Sequence, residues 1–219
     1  MKRMLILLLA VVLALGGCRT PAAAAKKNTI STLELTGREK LLLEGMSEKA
    51  FAFEYQVDDT FETVELNLET YRDGKSEGGQ SSSSPIPFEN GKKRAEGMIV
   101  FTADSIRVRG EDEKESWTIF RVLNSGSGGG SRSVVPIPDY PAAEAMSSIW
   151  SAGGVEGRMV NRPLEPGKPI VLASICFSSG NGISSLTRDF YEDPGAHMDE
   201  LEQYDAAYLL WATFHPKEG

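Results

Sequence analysis

The stretch Ala50-Phe-Ala-Phe-Glu-Tyr-Gln-Val57, Asp58-Asp-Thr60, Glu62-Thr-Val-Glu-Leu-Asn-Leu-Glu-Thr-Tyr-Arg72 decides the fold class. Phe51, Phe53, Tyr55 and Val57 share one face of an extended chain, opposite Ala52, Glu54 and Gln56. Val64, Leu66 and Leu68 then alternate with Glu65, Asn67 and Glu69. A period of two is the signature of a strand, and one oily face with one wet face belongs to an antiparallel sheet packed on one side. With Asp58-Asp59-Thr60 as the turn, the two halves are expected to pair as an antiparallel hairpin.

Working outward, the same alternation predicts strands at Ala95 to Thr102 and Ser105 to Arg109, with a charged turn at Gly110 to Glu115 leading into Trp117 to Leu123 as a second hairpin. Ile170 to Phe177 and Ala206 to Phe214 are apolar on both faces, which predicts two central strands. Asp73 to Ser84 has no apolar side chain, and Asn124 to Ser133 is rich in glycine and serine; both are expected to be exposed, mobile loops. Each precedes a Pro-Ile-Pro segment, at 85–87 and 136–138, and proline favours sheet edges. Asn90-Gly91 reads as a turn, Val155 to Val160 as a short strand, and Arg162 to Pro169 as a loop. Ile30 to Thr36 reads as a strand, followed at Lys40 to Glu44 by either its hairpin partner or one helical turn.

Helical spacing of Ala142, Met146, Ile149 and Trp150, after Asp139 as N-cap and before Gly153, predicts a helix over 139–153. A short helix is also expected within Asp193 to Gln203. Ten to twelve strands with one or two short helices amount to a mainly β chain, a two-layer antiparallel β-sandwich formed by a single domain over residues 30–219.

The N-terminus reads Met-Lys-Arg-Met, an apolar run from Leu5 to Leu15, then Gly16-Gly17-Cys18. These are the charged, apolar and small-residue regions of an export signal. Leu15-Gly16-Gly17-Cys18 resembles the lipobox of bacterial lipoproteins. That resemblance implies cleavage after Gly17, a diacylglyceryl group on Cys18, further acylation such as palmitate, and residence at the extracytoplasmic face of a cell membrane. Eleven apolar residues span ~16 Å as a helix, about half of a ~30 Å hydrocarbon core, so a permanent span is not expected. An ordinary cleaved signal, with its site among Ala22 to Ala25, is the alternative. Residues 18–29 lack core-forming side chains and read as a flexible tether. Residues 30–219 carry no comparable family signature.

The 219-residue chain has 23 basic and 31 acidic residues, a formal net charge of −8. Loss of residues 1–17 removes Lys2 and Arg3 and takes it to −10. An acidic balance, with Lys92-Lys93-Arg94 as the sole basic run, argues against a nucleic-acid partner. With Cys18 acylated, Cys176 has no partner for an internal disulfide.

The sequence offers few groups for catalysis. His197 and His215 stand outside any nucleophile motif, no Gly-x-Ser-x-Gly occurs, and Gly126-Ser-Gly-Gly-Gly130 lacks the spacing of a phosphate loop. Cys176, inside Ile-Val-Leu-Ala-Ser-Ile-Cys-Phe, reads as a buried small hydrophobe. Asp193, His197, Asp199 and Glu200 gather on one segment without a second ligand cluster, and read as acidic residues near a helix start rather than a metal site. Asp58-Asp59 and Glu111 to Glu115 lack calcium-loop spacing. Trp211 is expected in the core, and Trp117 there or against a ligand. No catalytic residue, metal ligand or cofactor is assigned, and Cys18 is the one site residue.

The expectation for function is therefore a membrane-anchored extracytoplasmic lipoprotein acting as a non-enzymatic binding or sensing module through its two loops. Its partners are the membrane, through lipidated Cys18, and an envelope protein or glycan. An accessory subunit regulating an envelope complex is the second reading, and a glycan-active or metal-dependent hydrolase the third.

Overall fold

The computed structural model describes residues 28–81, 85–88, 94–109, 114–126, 129–137, 146–153, 158–180 and 182–217. Residues 1–27, read from the sequence as an export signal and most of a tether, the expected Asn90-Gly91 turn and residues 110–113 lie outside them. Twelve strands occur among the described residues: β1 Thr29–Thr32, β2 Lys49–Asp58, β3 Phe61–Arg72, β4 Lys75–Ser81, β5 Ile86–Pro87, β6 Arg94–Arg109, β7 Lys114–Gly126, β8 Gly129–Ile137, β9 Ser147–Ala152, β10 Arg162–Pro163, β11 Pro169–Ser178 and β12 Ala206–Pro216. They form two antiparallel sheets, ordered β10-β1-β2-β6-β7-β8 and β4-β3-β12-β11-β9, with β5 also on β3. The fold is the two-layer β-sandwich that the alternation predicts.

The expected β2–β3 hairpin is absent. β2 pairs with β1 and β6, whereas β3 pairs with β12, β4 and β5, so the turn at Asp59-Thr60 is an arch that carries the chain from one sheet to the other. Alternation fixes which face of each strand is apolar, and both a hairpin and an arch satisfy it. In the arch the two apolar faces look at each other across the core instead of lying side by side. Phe53, Tyr55 and Val57 thus meet Phe61, Val64, Leu66 and Phe214, and the Tyr55 and Phe61 rings lie 5.3 and 6.3 Å from the Phe214 ring.

The arch is also where the domain closes. Asp58 accepts from the Thr60 amide at 3.1 Å, Asn28 donates to Asp58 Oδ2 at 3.0 Å and accepts from the Asp58 amide at 2.7 Å, and the Lys217 amide donates to the Thr60 carbonyl at 3.1 Å. The two ends of the described chain therefore meet at one corner.

Five further expectations are corrected. Lys75–Ser81 is an edge strand on β3 rather than a loop: Asp73 and Gly74 take φ of 47° and 74°, the geometry of a tight hairpin turn, and main-chain hydrogen bonds form the ladder without side-chain burial. Asn124 to Ser133 likewise lies almost wholly in the paired ends of β7 and β8, with only 127 and 128 outside the described residues. β6 is one 16-residue strand, not two. Of the predicted helix over 139–153, residues 139–145 lie outside the described residues and Ser147–Ala152 is the edge strand β9. There Ile149 packs outward and Trp150 packs on Phe51, ring centroids 6.2 Å apart, so both faces are covered and the spacing cannot distinguish helix from strand. Val155 to Val160 contributes a single bridge residue, Arg158, among its described residues.

The region after β1 is helical: α1, Gly37–Met46, starts with a capping box in which Thr36 and Glu39 bond each other's amides. β11 and β12 are central, as their two apolar faces require. Their outer face carries a second apolar cluster, Val171, Cys176, Ala207 and Leu209, covered by Leu186, Phe190, Tyr191, Leu201 and Tyr204. These come from a segment holding helix α2, Arg188–Glu192, and two 3₁₀ turns, Pro194–Ala196 and Met198–Gln203.

Phe214 is fully buried where three aromatic rings converge, so Phe214→Ala is expected to lower stability by about 3–5 kcal/mol in urea unfolding, without changing the strand content of the native state.

Candidate functional site

A cleft of about 420 Å³ opens where the β1–β10 edge of one sheet meets β11 and α2 of the other. It is built from three local decisions of the chain. Met159 is tied to β1 by two bonds with Thr32, its amide to Thr32 Oγ1 at 2.9 Å and its carbonyl to the Thr32 amide at 2.8 Å, which buries the Met159 side chain as the floor. Asn161, at φ 47°, turns the chain, and its amide bonds Ser31 Oγ at 2.9 Å. Arg162 then pairs with Ile30 in the β10–β1 ladder and sends its guanidinium across to α2, donating to the carbonyls of Tyr191 and Glu192.

Arg162 thereby staples the two layers. Burial pulls its pKa below the ordinary guanidinium value, while Glu192 and Glu165 oppose the shift. Arg158, Lys168 and Arg188 line the rim, in exposed pairs with Glu34 at 3.0 Å, Glu165 at 3.0 Å and Glu192 at 2.5 Å. Exposed pairs of this kind contribute ~0–1 kcal/mol and exchange readily.

Tyr191 forms the back wall. Its ring packs so tightly on Gly153 that a Cβ there would lie 2.6 Å from Tyr191 Cδ1. Its hydroxyl sits 2.6 Å from Ser151 Oγ and 2.8 Å from Ser174 Oγ, and the two serines are 3.0 Å apart. Burial raises the Tyr191 pKa to about 12, only partly offset by these serine hydrogen bonds. Cys176, on the same side of β11, is likewise pushed up to about 12 by burial. At neutral pH both are uncharged, and neither is poised as a base or nucleophile.

The candidates read from the sequence lie elsewhere. Glu200 accepts from the Thr187 amide at 2.9 Å and from its hydroxyl, just ahead of α2, while His197 Nδ1 stands 3.8 Å from Glu200. Asp193 is the C-cap residue of α2 and Asp199 is exposed. Among the described residues no three His, Cys, Asp or Glu side chains converge as metal ligands would. His215 is far from His197, near the opposite end of β12, with Nε2 3.2 Å from Glu65. Trp211 is half-buried on the outer face of the second sheet, beside Glu65, Asn67 and Glu69, rather than inside the sandwich; its indole N–H is inaccessible and has no acceptor among the described residues. Trp117 lies on β7 opposite Ile106, and of it only the backbone position is described. Cys18 and the basic pair Lys92-Lys93 lie outside the described residues, as does the Leu5 to Leu15 run; no described helix is long and apolar enough to cross a membrane.

Sequence reasoning did not find the cleft. Arg162, Tyr191 and Gly153 stand in no motif, and they meet only because α2 folds back over β11.

The YgaN domain family model matches residues 29–214, and the chain belongs to that family. The domain for which the sequence alone offered no family therefore has one. No curated protein and no solved structure matches the chain.

The buried phenol links stability to alkali. Below pH ~10 native and unfolded Tyr191 are both protonated and the contribution is complete; as pH rises through about 12 the unfolded chain releases its proton first and the native state loses at most ~3 kcal/mol. Urea unfolding at a series of alkaline pH values is expected to show this slope, and Tyr191→Phe to reduce it, leaving the part contributed by Tyr71 and Tyr204, whose pKa values burial also raises. Iodoacetamide at pH 8 is expected to spare Cys176 until the chain is unfolded.

Proposed function

We propose that this YgaN-domain chain is a lipid-anchored, extracytoplasmic binding or sensing module, and that it holds a small anionic ligand in the cleft beside Arg162. The observation that carries the reading is charge placement. In a chain of net charge −8, four cations, Arg158, Arg162, Lys168 and Arg188, line one cleft against two carboxylates, Glu165 and Glu192. Its floor and back wall, Met159, Ile170 and Tyr191, are buried and apolar, so a bound anion would be partly desolvated and its hydrogen bonds to guanidinium correspondingly stronger.

The non-enzymatic part of the reading is supported by the groups nearest the cleft. Tyr191 is a neutral phenol satisfied by two serines, and Glu192 pairs with Arg188. The anchor is supported by Leu15-Gly16-Gly17-Cys18, and it would hold the cleft at the outer face of a cell membrane, where an envelope carboxylate or phosphate would be met at high local concentration. The two stretches first read as binding loops are mostly paired strands, so the binding role moves from them to the cleft.

Titration of the detergent-purified full chain with acetate, glucuronate and inorganic phosphate, followed by calorimetry and by NMR of arginine side chains, tests the site. At least one probe is expected to bind and to perturb Arg162 and Arg188. Arg188→Ala, on the exposed rim, is expected to weaken binding roughly 10-fold, the effect of one lost charge-assisted hydrogen bond, without loss of stability. Binding that is absent for all three probes, or indifferent to Arg188→Ala and Arg158→Ala together, would exclude the anion site. Mass spectrometry of the mature N-terminus tests the anchor: acylated Cys18 is expected, and an unmodified terminus among Ala22 to Lys26 would refute it.

A further inference from the structure

Among the described residues, helix α1 stands uncovered. None of its ten residues is buried, Leu43 alone is half-buried, and Leu41, Leu42 and Met46 are 70%, 58% and 77% exposed. These three are half of the six large apolar side chains exposed among the described residues, concentrated on one short element. A helix of this length is marginal in water when it packs on nothing, so its apolar side asks for a partner.

The side chains are arranged on faces. Arg38, Leu42 and Met46 follow one another at four-residue spacing, flanked by Leu41 and Gly45, while Lys40 and Glu44 form an ion pair at 3.8 Å on the opposite side. An apolar row that begins with an arginine suits a bilayer interface, since the guanidinium can extend to the headgroups while its stem stays among the tails.

The chain path makes the bilayer the partner within reach. The described domain begins at Asn28, and Cys18 lies ten residues earlier, a span of at most ~36 Å. Thr36, which starts α1, lies eight residues after Asn28, at most ~29 Å away. The tether is therefore long enough to let the domain lie down with α1 against the membrane that holds Cys18. Tethering also keeps the bilayer at high effective concentration, so three side chains suffice where they would not hold a free protein.

We propose that α1 is a membrane-contact helix: Leu41, Leu42 and Met46 enter the interfacial layer of the bilayer to which Cys18 is acylated, and this contact orients the domain on the membrane. The proposal rests on the lipid-anchor reading. Arg38 and Lys40 are balanced within the helix by Glu39 and Glu44, so the contact is apolar and does not depend on anionic lipid.

The test uses the full chain, purified from membranes and reconstituted in phosphatidylcholine vesicles. Cys176 is fully buried and Cys18 is blocked by acylation, so Leu42→Cys supplies one reactive thiol for a polarity-sensitive dye. The dye is expected to shift to the blue and to be quenched by nitroxide-bearing lipid, equally with and without added phosphatidylglycerol. The same dye at Val134→Cys, an exposed position on the β8 edge, is expected to stay in water. Adding Leu41→Glu and Met46→Glu should return the Leu42→Cys dye to water while the chain still cosediments with vesicles. Acylated Cys18 with a water-exposed Leu42→Cys dye overturns the helix contact and leaves the anchor standing. Absence of acylated Cys18 by mass spectrometry refutes the anchor and the proposal together. Protection that appears without vesicles and rises with protein concentration assigns the face to a second copy and overturns the membrane contact.

Discussion

Strands β11 and β12 are apolar on both faces, and the rest of the structure depends on covering both. Toward the sandwich interior, Leu172, Ile175, Phe177, Leu210, Ala212 and Phe214 join the main core. On the outside, Val171, Cys176, Ala207 and Leu209 need a cover of their own, and the segment between the two strands supplies it with Leu186, Phe190, Tyr191, Leu201 and Tyr204. The burial of that outer cluster is what brings α2 against the sheet. Everything at the cleft follows from this third, partial layer: Tyr191 reaches the serines of β9 and β11, and the carbonyls at the end of α2 receive Arg162 from the other sheet.

A second consequence concerns the two ends of the molecule. The arch at Asp58 to Thr60 binds Asn28 and Lys217, so the first and last described residues share one corner with it. β1 then runs away from that corner, and α1 begins beyond its far end. The cleft lies along the β1–β10 edge between them. The arch, the cleft edge and helix α1 thus follow one another along β1.

Several local features were legible in the residues and others were written there but point only to local structure. Asp73-Gly74 is the dipeptide of a tight hairpin turn, and Thr36-Gly-Arg-Glu39 is a capping box; each marks its element once the flanking polar runs are not dismissed as loops. Polarity misleads at Lys75–Ser81 because an edge strand is held by main-chain hydrogen bonds, which any residue but proline can supply. Spacing misleads at Met146 to Trp150 because an edge strand covered on both faces has no single apolar side to reveal its period. Gly153 was read as a helix stop; its actual role is to leave room for the Tyr191 ring, a requirement set by a residue 38 positions away.

The sequence by itself determined the fold class, the apolar face of β2 and β3, and the central place of β11 and β12, because each depends on side chains close together along the chain. Only the tertiary structure decided that β2 and β3 belong to different sheets, that Arg162 meets the end of α2, that the cations collect at one cleft and that α1 is left bare. Periodicity specifies which way a side chain faces but not which strand lies beside it. Partners separated by 30 residues or more are chosen by how the two sheets and their cover can all be buried at once, and that is a property of the whole chain.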